Sequence, residues 1–356
     1  MAISSEGRDR HTVNLLRTMY FDGPDYTPCR VGIMPATWMK YGEALDDVVL
    51  AHPRLFPGHK KGSATFEEFG DPLYELGEHT DAWGTVWRNI ERGLTSFPTG
   101  YPLTDWDDFD SYTAPDPDAD EFGRPRDWES TARALAGAKE KGHLATGWLV
   151  HGFMYLRLTY LRGFENLMLD IASGEPRLAE LIRMVEDQNM AVVGKWIEAG
   201  AEYMVAGDDL GLQQALPMSP AHWREYVKPS YERIFAPCRE ADIPVYLHTD
   251  GHVLEIIGDL IDVGVTIINP QIRANGLPGL QKYAKGRVVI DLDLDRQLFP
   301  FASPRQLREH VREAYEALRA PEGGLMLYAE CEPDVPLANI DAICCALEEV
   351  CNPPEV

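Results

Sequence analysis

The sequence has no apolar run that approaches the roughly 20 residues of a membrane-spanning helix. Its six cysteines form no CxxC pair, so no small disulfide-stapled domain is indicated. No GxGxxG or GxxxxGKS/T motif follows a predicted strand, which leaves a dinucleotide or nucleoside-triphosphate fold without support. Basic residues are few, since 33 Lys and Arg stand against 57 Asp and Glu, and the net charge is -24 at pH 7. Neither nucleic acid nor an anionic membrane is therefore an expected partner.

The composition that is present is typical of a soluble globular protein. The 356 residues are 45% hydrophobic and 25% charged, which allows one large domain or two ordinary ones. Residues Met1 to Arg10 are polar and contain no hydrophobic signal core. We therefore expect a cytoplasmic protein with reduced thiols that acts on a small-molecule substrate.

Alternating short apolar runs and long amphipathic segments predict an α/β fold. The predicted strands are Val31–Met34, His143–Val150, Glu202–Ala206, Pro244–Leu247, Val265–Ile268, Arg287–Ile290 and Leu325–Ala329. The predicted helices between or before them include Thr12–Tyr20, Pro176–Ala199, Pro220–Ala241, Val253–Val263, Pro278–Ala284 and Pro304–Leu318. This succession favours parallel strands with crossover helices in a closed (β/α)8 barrel. We expect a single barrel domain over residues 1–356, with an N-terminal arm at 1–30.

Residues 50–125 are rich in proline, glycine, aspartate and aromatic residues, and they predict an irregular insert that covers the barrel mouth. Trp83 and Trp87 lie in this insert at helical spacing, which is more typical of core residues than of a substrate platform. We nevertheless keep Trp83 as a candidate substrate-binding residue.

Polar side chains follow five of the predicted strands, where barrel enzymes carry their chemistry. The most distinctive segment is His248-Thr249-Asp250-Gly251, because residues i and i+2 of an extended chain point to the same side. The candidates for catalysis are Asp208, Asp209 and His151, and those for substrate binding include Asn269, Gln271 and Asp291. A helix N-cap is the ordinary alternative for any one of these carboxylates.

Cys331 differs from the other late cysteines because it follows an apolar strand and lies beside two glutamates. Cys344 and Cys345 lie within the helical pattern Ile340–Val350, which is typical of structural thiols. A thiolate, an imidazole and a carboxylate from different strands form a ligand set that suits Zn²⁺ and leaves a fourth position open. The predicted metal ligands are therefore His248, Asp250 and Cys331. Equally, Asp250 could be an acid/base residue at a site without metal.

From about residue 80 to residue 350 the chain resembles the uroporphyrinogen decarboxylase superfamily. The resemblance rests on seven segments, which are Asp81–Gly84, Pro102–Trp106, Gly207–Gly211, Ser219-Pro220, His248–Gly251, Gly264–Pro270 and Pro333–Pro336. It implies a distorted (β/α)8 TIM barrel and a homodimer. The Arg-Gln-Ala-Gly-Arg segment of true uroporphyrinogen decarboxylases is missing, because the corresponding region reads Arg30 to Trp38 without an arginine cluster.

The resemblance is closer to the zinc-dependent methyltransferases of this superfamily, which transfer methyl groups between corrinoid proteins and thiols. Their zinc ligands match this chain at His248 and Cys331, whereas Asp250 replaces a cysteine. The resemblance thus implies zinc-dependent methyl transfer or demethylation, with a thiol or a corrinoid protein as acceptor. The alternatives are a cofactor-free decarboxylase or lyase, in which His248 and Asp208 donate protons, and a non-catalytic partner of a corrinoid protein.

Overall fold

The computed structural model describes residues 3–64, 69 and 71–352. The predicted arm and insert each include a few residues outside these ranges. The strands are β1 (Cys29–Ile33), β2 (Gly77–Thr80), β3 (Val86–Asn89), β4 (Phe97–Gly100), β5 (Thr146–Trp148), β6 (Tyr203–Gly207), β7 (Val245–Thr249), β8 (Val265–Pro270), β9 (Val289–Asp293) and β10 (Leu325–Cys331).

The α-helices alternate with these strands along most of the chain. They are α1 (Arg10–Met19), α2 (Pro35–Tyr41), α3 (Glu43–Ala51), α4 (Trp128–Glu140), α5 (Tyr155–Arg162), α6 (Phe164–Ser173), α7 (Arg177–Glu198), α8 (Pro220–Tyr226), α9 (Lys228–Ile234), α10 (Ala236–Glu240), α11 (Ile257–Asp262), α12 (Ile272–Asn275), α13 (Leu277–Tyr283), α14 (Pro304–Leu318) and α15 (Leu337–Cys351). Short 3₁₀ segments lie at 72–74, 106–111 and 254–256.

The chain divides into two compact units. The first comprises residues 1–16, 78–87 and 98–269, and the second comprises residues 17–77, 88–97 and 270–356. The first unit contains neighbouring strands in the order β5-β6-β7-β8, and the second contains the order β1-β10-β9. Strands β5, β6 and β7 pair in parallel in the first unit, as do β1, β10 and β9 in the second, for example with Gly207 opposite His248 and Ile33 opposite Cys331. The seven predicted strands are confirmed, and with them the α/β class and the strand–helix succession of a distorted (β/α)8 TIM barrel.

Strands β6 to β9 form where apolar runs are buried on both faces, as is typical of parallel strands. All five residues of β9 are buried, including Asp291 and Asp293, and four of five are buried in β7. Helix α14 begins at Pro304, as predicted, because Ser303 at the N-cap and Gln306 in the first turn form a reciprocal capping box. Among the described residues, no helix has the length and apolar character needed to cross a membrane.

The helix predicted over Pro220–Ala241 is wrong as a single element, because the structure divides it into α8, α9 and α10. Pro229 and Pro237 each lie near the first turn of a new helix. A proline inside a continuous helix would remove a backbone hydrogen bond and clash with the carbonyl four residues earlier. Residues 50–125 are also more regular than predicted, since β2, β3 and β4 form a three-stranded sheet there. Whether this insert covers a barrel mouth stays a prediction.

Candidate active site

The first compact unit brings four of the predicted site residues together at the carboxyl ends of its strands. His151 follows β5, Asp209 follows β6, and His248 and Asp250 lie at the end of β7. His151 Nε2 lies 3.3 Å from Asp209 Oδ1, and His248 Nε2 lies 3.6 Å from the same oxygen. His248 Nε2 also lies 3.3 Å from Asp250 Oδ1. We call these four residues the His-Asp cluster.

Two glycines let the loops after β6 and β7 approach closely enough to form this cluster. A Cβ atom on Gly251 would lie 2.2 Å from the carbonyl carbon of Gly211, and the φ of Gly251 is +83°. The Gly211 amide donates to the Asp250 carbonyl, and the Leu210 amide donates to the Thr249 hydroxyl. No larger residue fits either position without displacing a backbone. The pattern Gly-Asp-Asp-Leu-Gly with His-Thr-Asp-Gly therefore fixes where Asp209 and Asp250 lie.

Asn269 orients the ring of His248. The Asn269 side chain is buried at the end of β8, and its Oδ1 lies 2.7 Å from His248 Nδ1. Because an amide oxygen only accepts, Nδ1 carries a proton and donates it to Asn269. Nε2 then faces the two carboxylates. Asn269, a predicted substrate-binding residue, has here the position of an outer partner of His248.

The two carboxylates set the charge of His248. Burial lowers the pKa of His248, but the hydrogen bond to Asp250 and the negative charges of Asp250 and Asp209 outweigh burial and raise it to about 9. Burial conversely raises the pKa of Asp209, and the hydrogen bond and charge of His151 outweigh that effect, so the pKa is lowered. The cluster therefore favours positive charge at its centre, which a proton or a cation can supply.

Two imidazoles and a carboxylate in this cluster meet the donor requirements of a metal site. His151, Asp209 and His248 each offer one ligand atom, and the three atoms lie within 4.8 Å of one another. Two histidines and one carboxylate with an open position form a recurrent catalytic zinc arrangement. The chemistry of the donor set thus fits Zn²⁺.

Asp208 lies beside the cluster in sequence but has a different environment. Its side chain is fully buried and accepts hydrogen bonds from the Tyr155 amide at 2.6 Å, the Leu156 amide at 2.8 Å and the Tyr231 hydroxyl at 2.7 Å. Burial raises the pKa of Asp208 to about 6. These contacts anchor the first turn of α5, and the catalytic role expected for Asp208 stays a prediction.

Replacing Asp208 with alanine is expected to lower the free energy of unfolding by about 3 kcal/mol, because two buried donors and one half-buried donor lose their acceptor. Urea denaturation of the variant and the wild type measures the difference. Asp110→Ala, at an exposed position, is the control and should stay within about 0.5 kcal/mol. A variant as stable as the wild type would show that Asp208 does not anchor α5.

Trp83 belongs to a buried network around Asp81. Asp81 Oδ1 accepts from the amides of Trp83 and Thr85 at 3.0 and 2.9 Å. Its Oδ2 accepts from Trp87 Nε1 at 3.0 Å and from Arg157 Nη1 at 2.7 Å. Trp83 is 8% exposed and, with Arg157, lines a small cavity of about 50 Å³. These contacts agree with the core interpretation, and the substrate-binding role of Trp83 stays a prediction.

The remaining candidates lie in the second compact unit. Asp291 is buried in β9, and its Oδ2 lies 2.8 Å from Arg30 Nη2. Gln271 forms an isolated parallel bridge with Asp293. Cys331 ends β10 with no exposed surface, and burial, with the charge of Glu330, raises the pKa of its thiol to about 12. The substrate-binding roles of Asp291 and Gln271 and the ligand role of Cys331 stay predictions.

Comparison with known proteins agrees with the resemblance. A family model described as uroporphyrinogen decarboxylase (URO-D) matches residues 99–350. A curated uroporphyrinogen decarboxylase from Nocardia farcinica (strain IFM 10152) is 27% identical over 142 residues, which are 40% of this chain and 38% of that protein. A methyltransferase from Methanosarcina mazei has a similar structure, with a TM-score of 0.61 and 18% identity over 95% of this chain and 98% of the other. The structural likeness shows the fold.

Proposed function

The chain belongs to the uroporphyrinogen decarboxylase (URO-D) family, and we propose that it is a zinc-dependent methyltransferase. It would move a methyl group from a small methylated substrate to a thiol or to a corrinoid protein. The observation that carries this proposal is the His-Asp cluster, which presents ligand atoms of two histidines and one aspartate within 4.8 Å of one another. The structural likeness to a methyltransferase over 95% of the chain supports the choice of reaction.

His151, Asp209 and His248 would hold the zinc ion, and Asp250 lies close enough to assist. When bound, the ion would supply a positive charge that lowers the pKa of an acceptor thiol. For His248 to ligate, its Nε2 would have to lose its proton, so zinc uptake is expected to be coupled to proton release. Asn269 keeps the Nδ1 proton in place, so that only Nε2 is offered. Cys331 remains a proposed ligand on the basis of the family resemblance.

The reaction can be assayed without the natural substrate or acceptor. Methyl ethers and methylamines serve as donor candidates, and free cob(I)alamin serves as a corrinoid acceptor whose methylation changes its absorbance. Activity that disappears on chelation and returns with added zinc supports the proposal. Methylation that survives complete removal of zinc contradicts its metal dependence. We further propose that the chain binds a corrinoid protein and that it forms a homodimer.

Replacing Asn269 with alanine is expected to weaken zinc binding by about 10- to 100-fold, the usual effect of losing an outer partner of a ligating histidine. Competition with a chromophoric chelator measures the affinity. Asn166→Ala is the control, because the Asn166 side-chain amide donates to the backbone carbonyls of Thr104 and Arg162. The zinc affinity of this variant should equal that of the wild type. Unchanged zinc affinity in Asn269→Ala would show that Asn269 does not act as an outer partner of His248.

A cofactor-free decarboxylase is the second candidate, and the charge of His248 favours it. An imidazolium held between Asp209 and Asp250, with a pKa of about 9, is a suitable proton donor to a carbanion. The name of the curated relative points to the same chemistry. Release of CO₂ from a carboxylate substrate by fully zinc-free protein would favour this candidate over methyl transfer.

A further inference from the structure

A second set of metal-binding side chains lies in the other compact unit, where the end of α3 meets α15. His52 follows the last residue of α3, and Asp341 and Cys345 lie on α15. One ligand atom from each of the three lies within 4.8 Å of the others. Asp341 and Cys345 are four residues apart, a spacing that places them on one face of the helix. His52 is thus brought to this face from 289 residues away in the sequence.

The imidazole of His52 has carboxylates at both ring nitrogens. Nδ1 lies 2.9 Å from Glu348 Oε2, and Nε2 lies 3.2 Å from Asp341 Oδ1. The residue is 3% exposed, so its ring is held almost entirely by protein groups. A neutral imidazole has only one N–H and can donate to only one of these carboxylates. A zinc-binding histidine usually donates its other ring N–H to a carboxylate. If Nε2 of His52 ligates, Glu348 has the position of this outer partner at Nδ1.

The spacing of these atoms suits a zinc ion in place of a shared proton. With zinc–ligand bonds of about 2.0 to 2.3 Å, neighbouring ligands of a tetrahedral ion lie about 3.5 Å apart. The distance of 3.2 Å between His52 Nε2 and Asp341 Oδ1 is close to this value. Cys345 is exposed, and its thiol completes a nitrogen, oxygen and sulfur set. Water can reach a fourth position from solvent.

The charges around the thiol favour the same occupant. Two carboxylates flank the ring of His52, since Glu348 Oε2 lies 2.9 Å from Nδ1 and Asp341 Oδ1 lies 3.2 Å from Nε2. A thiolate at Cys345 would add a third negative charge to this group. A divalent cation corrects this imbalance and stabilises the thiolate, because metal ligation and proton release are linked.

We propose that His52, Asp341 and Cys345 form a second zinc site, with Glu348 as the outer partner of His52. The site would join the end of α3 to α15, and it lies apart in sequence from every residue of the His-Asp cluster. The proposal does not depend on methyl transfer. One signal for this site is visible in the sequence, the four-residue spacing of Asp341 and Cys345, but no local pattern indicates that His52 joins them.

Zinc titration of the full-length, reduced and metal-stripped protein tests this site. In competition with a chromophoric chelator, we expect two equivalents for the wild type and one for Cys345→Ala or Asp341→Asn. Glu349→Gln is the matched control, because Glu349 is exposed on the same helix and pairs with Arg312, and it should still bind two. Circular dichroism confirms that each variant is folded. Zinc binding by Cys345→Ala and Asp341→Asn with wild-type stoichiometry and affinity would overturn the proposal.

Cobalt substitution identifies the sulfur ligand. In the Cys331→Ser background, which removes the thiol that the family resemblance assigns to the other site, bound Co²⁺ is expected to show a thiolate-to-metal charge-transfer band that a further Cys345→Ser change removes. A band that survives in the Cys331→Ser/Cys345→Ser protein would overturn the assignment of Cys345. The proposed function and the second zinc site can be refuted independently of each other. If His248→Ala binds as much zinc as the wild type while Cys345→Ala binds less, the proposed function fails and the second site stands.

Discussion

His248→Ala is expected to abolish zinc binding at the His-Asp cluster and methyl transfer together. His248 is the residue that contacts both carboxylates of the cluster, at 3.6 Å from Asp209 and 3.3 Å from Asp250. The loss in zinc affinity should exceed the roughly 100-fold that removal of an outer partner costs, because a direct ligand is removed. Chelator competition measures the affinity, and the cob(I)alamin assay measures the activity.

His222→Ala is the matched control for this variant. His222 lies on α8 at a half-buried position and contacts the ring of Tyr226. It should keep the zinc and the activity of the wild type. A His248→Ala protein that binds zinc at the cluster with unchanged affinity would contradict the proposed ligand set, whatever its activity.

Asp81→Ala is expected to lower the free energy of unfolding by about 3 to 5 kcal/mol, because it leaves the guanidinium of Arg157 buried without its partner. The side chains of Asp81 and Arg157 are only 5% and 4% exposed. The variant also removes the acceptor of Trp87 Nε1 and of two amides. Urea denaturation measures the loss.

The double variant Asp81→Ala/Arg157→Met separates the buried charge from the other contacts. It should be more stable than Asp81→Ala alone, because no charge is then left unpaired in the core. If the single variant loses less than about 1 kcal/mol, the interaction is not a determinant of this part of the fold.

The parallel strands β6 to β9 were predictable because their apolar runs are buried on both faces and thus have a signal independent of distant partners. The division of Pro220–Ala241 was predictable in principle from Pro229 and Pro237, since the first turn is the tolerated position for proline in a helix. The sheet of residues 77–100 was not, because its strands are only four residues long and none has a clear apolar alternation.

The candidate active site was also predictable only in part. The pairing of His248 with Asp250 follows from their spacing in one strand end. The contribution of Asp209 and His151 depends on the register that sets Gly207 opposite His248 and on the contact between Gly211 and Gly251. Asp208 and Asp209 are adjacent, and only the fold reveals that one anchors α5 while the other faces the histidines. Such tertiary placement leaves no local pattern in a single sequence.

The central claim, a zinc ion held by the His-Asp cluster, is tested most directly by the metal content of Cys345→Ala protein purified without added zinc. This variant disables the second proposed site, so any zinc that remains is counted for the cluster. About one equivalent per chain is predicted, and it should be absent from Cys345→Ala/His248→Ala. Folded Cys345→Ala protein that contains no zinc and takes none up on addition would contradict the claim.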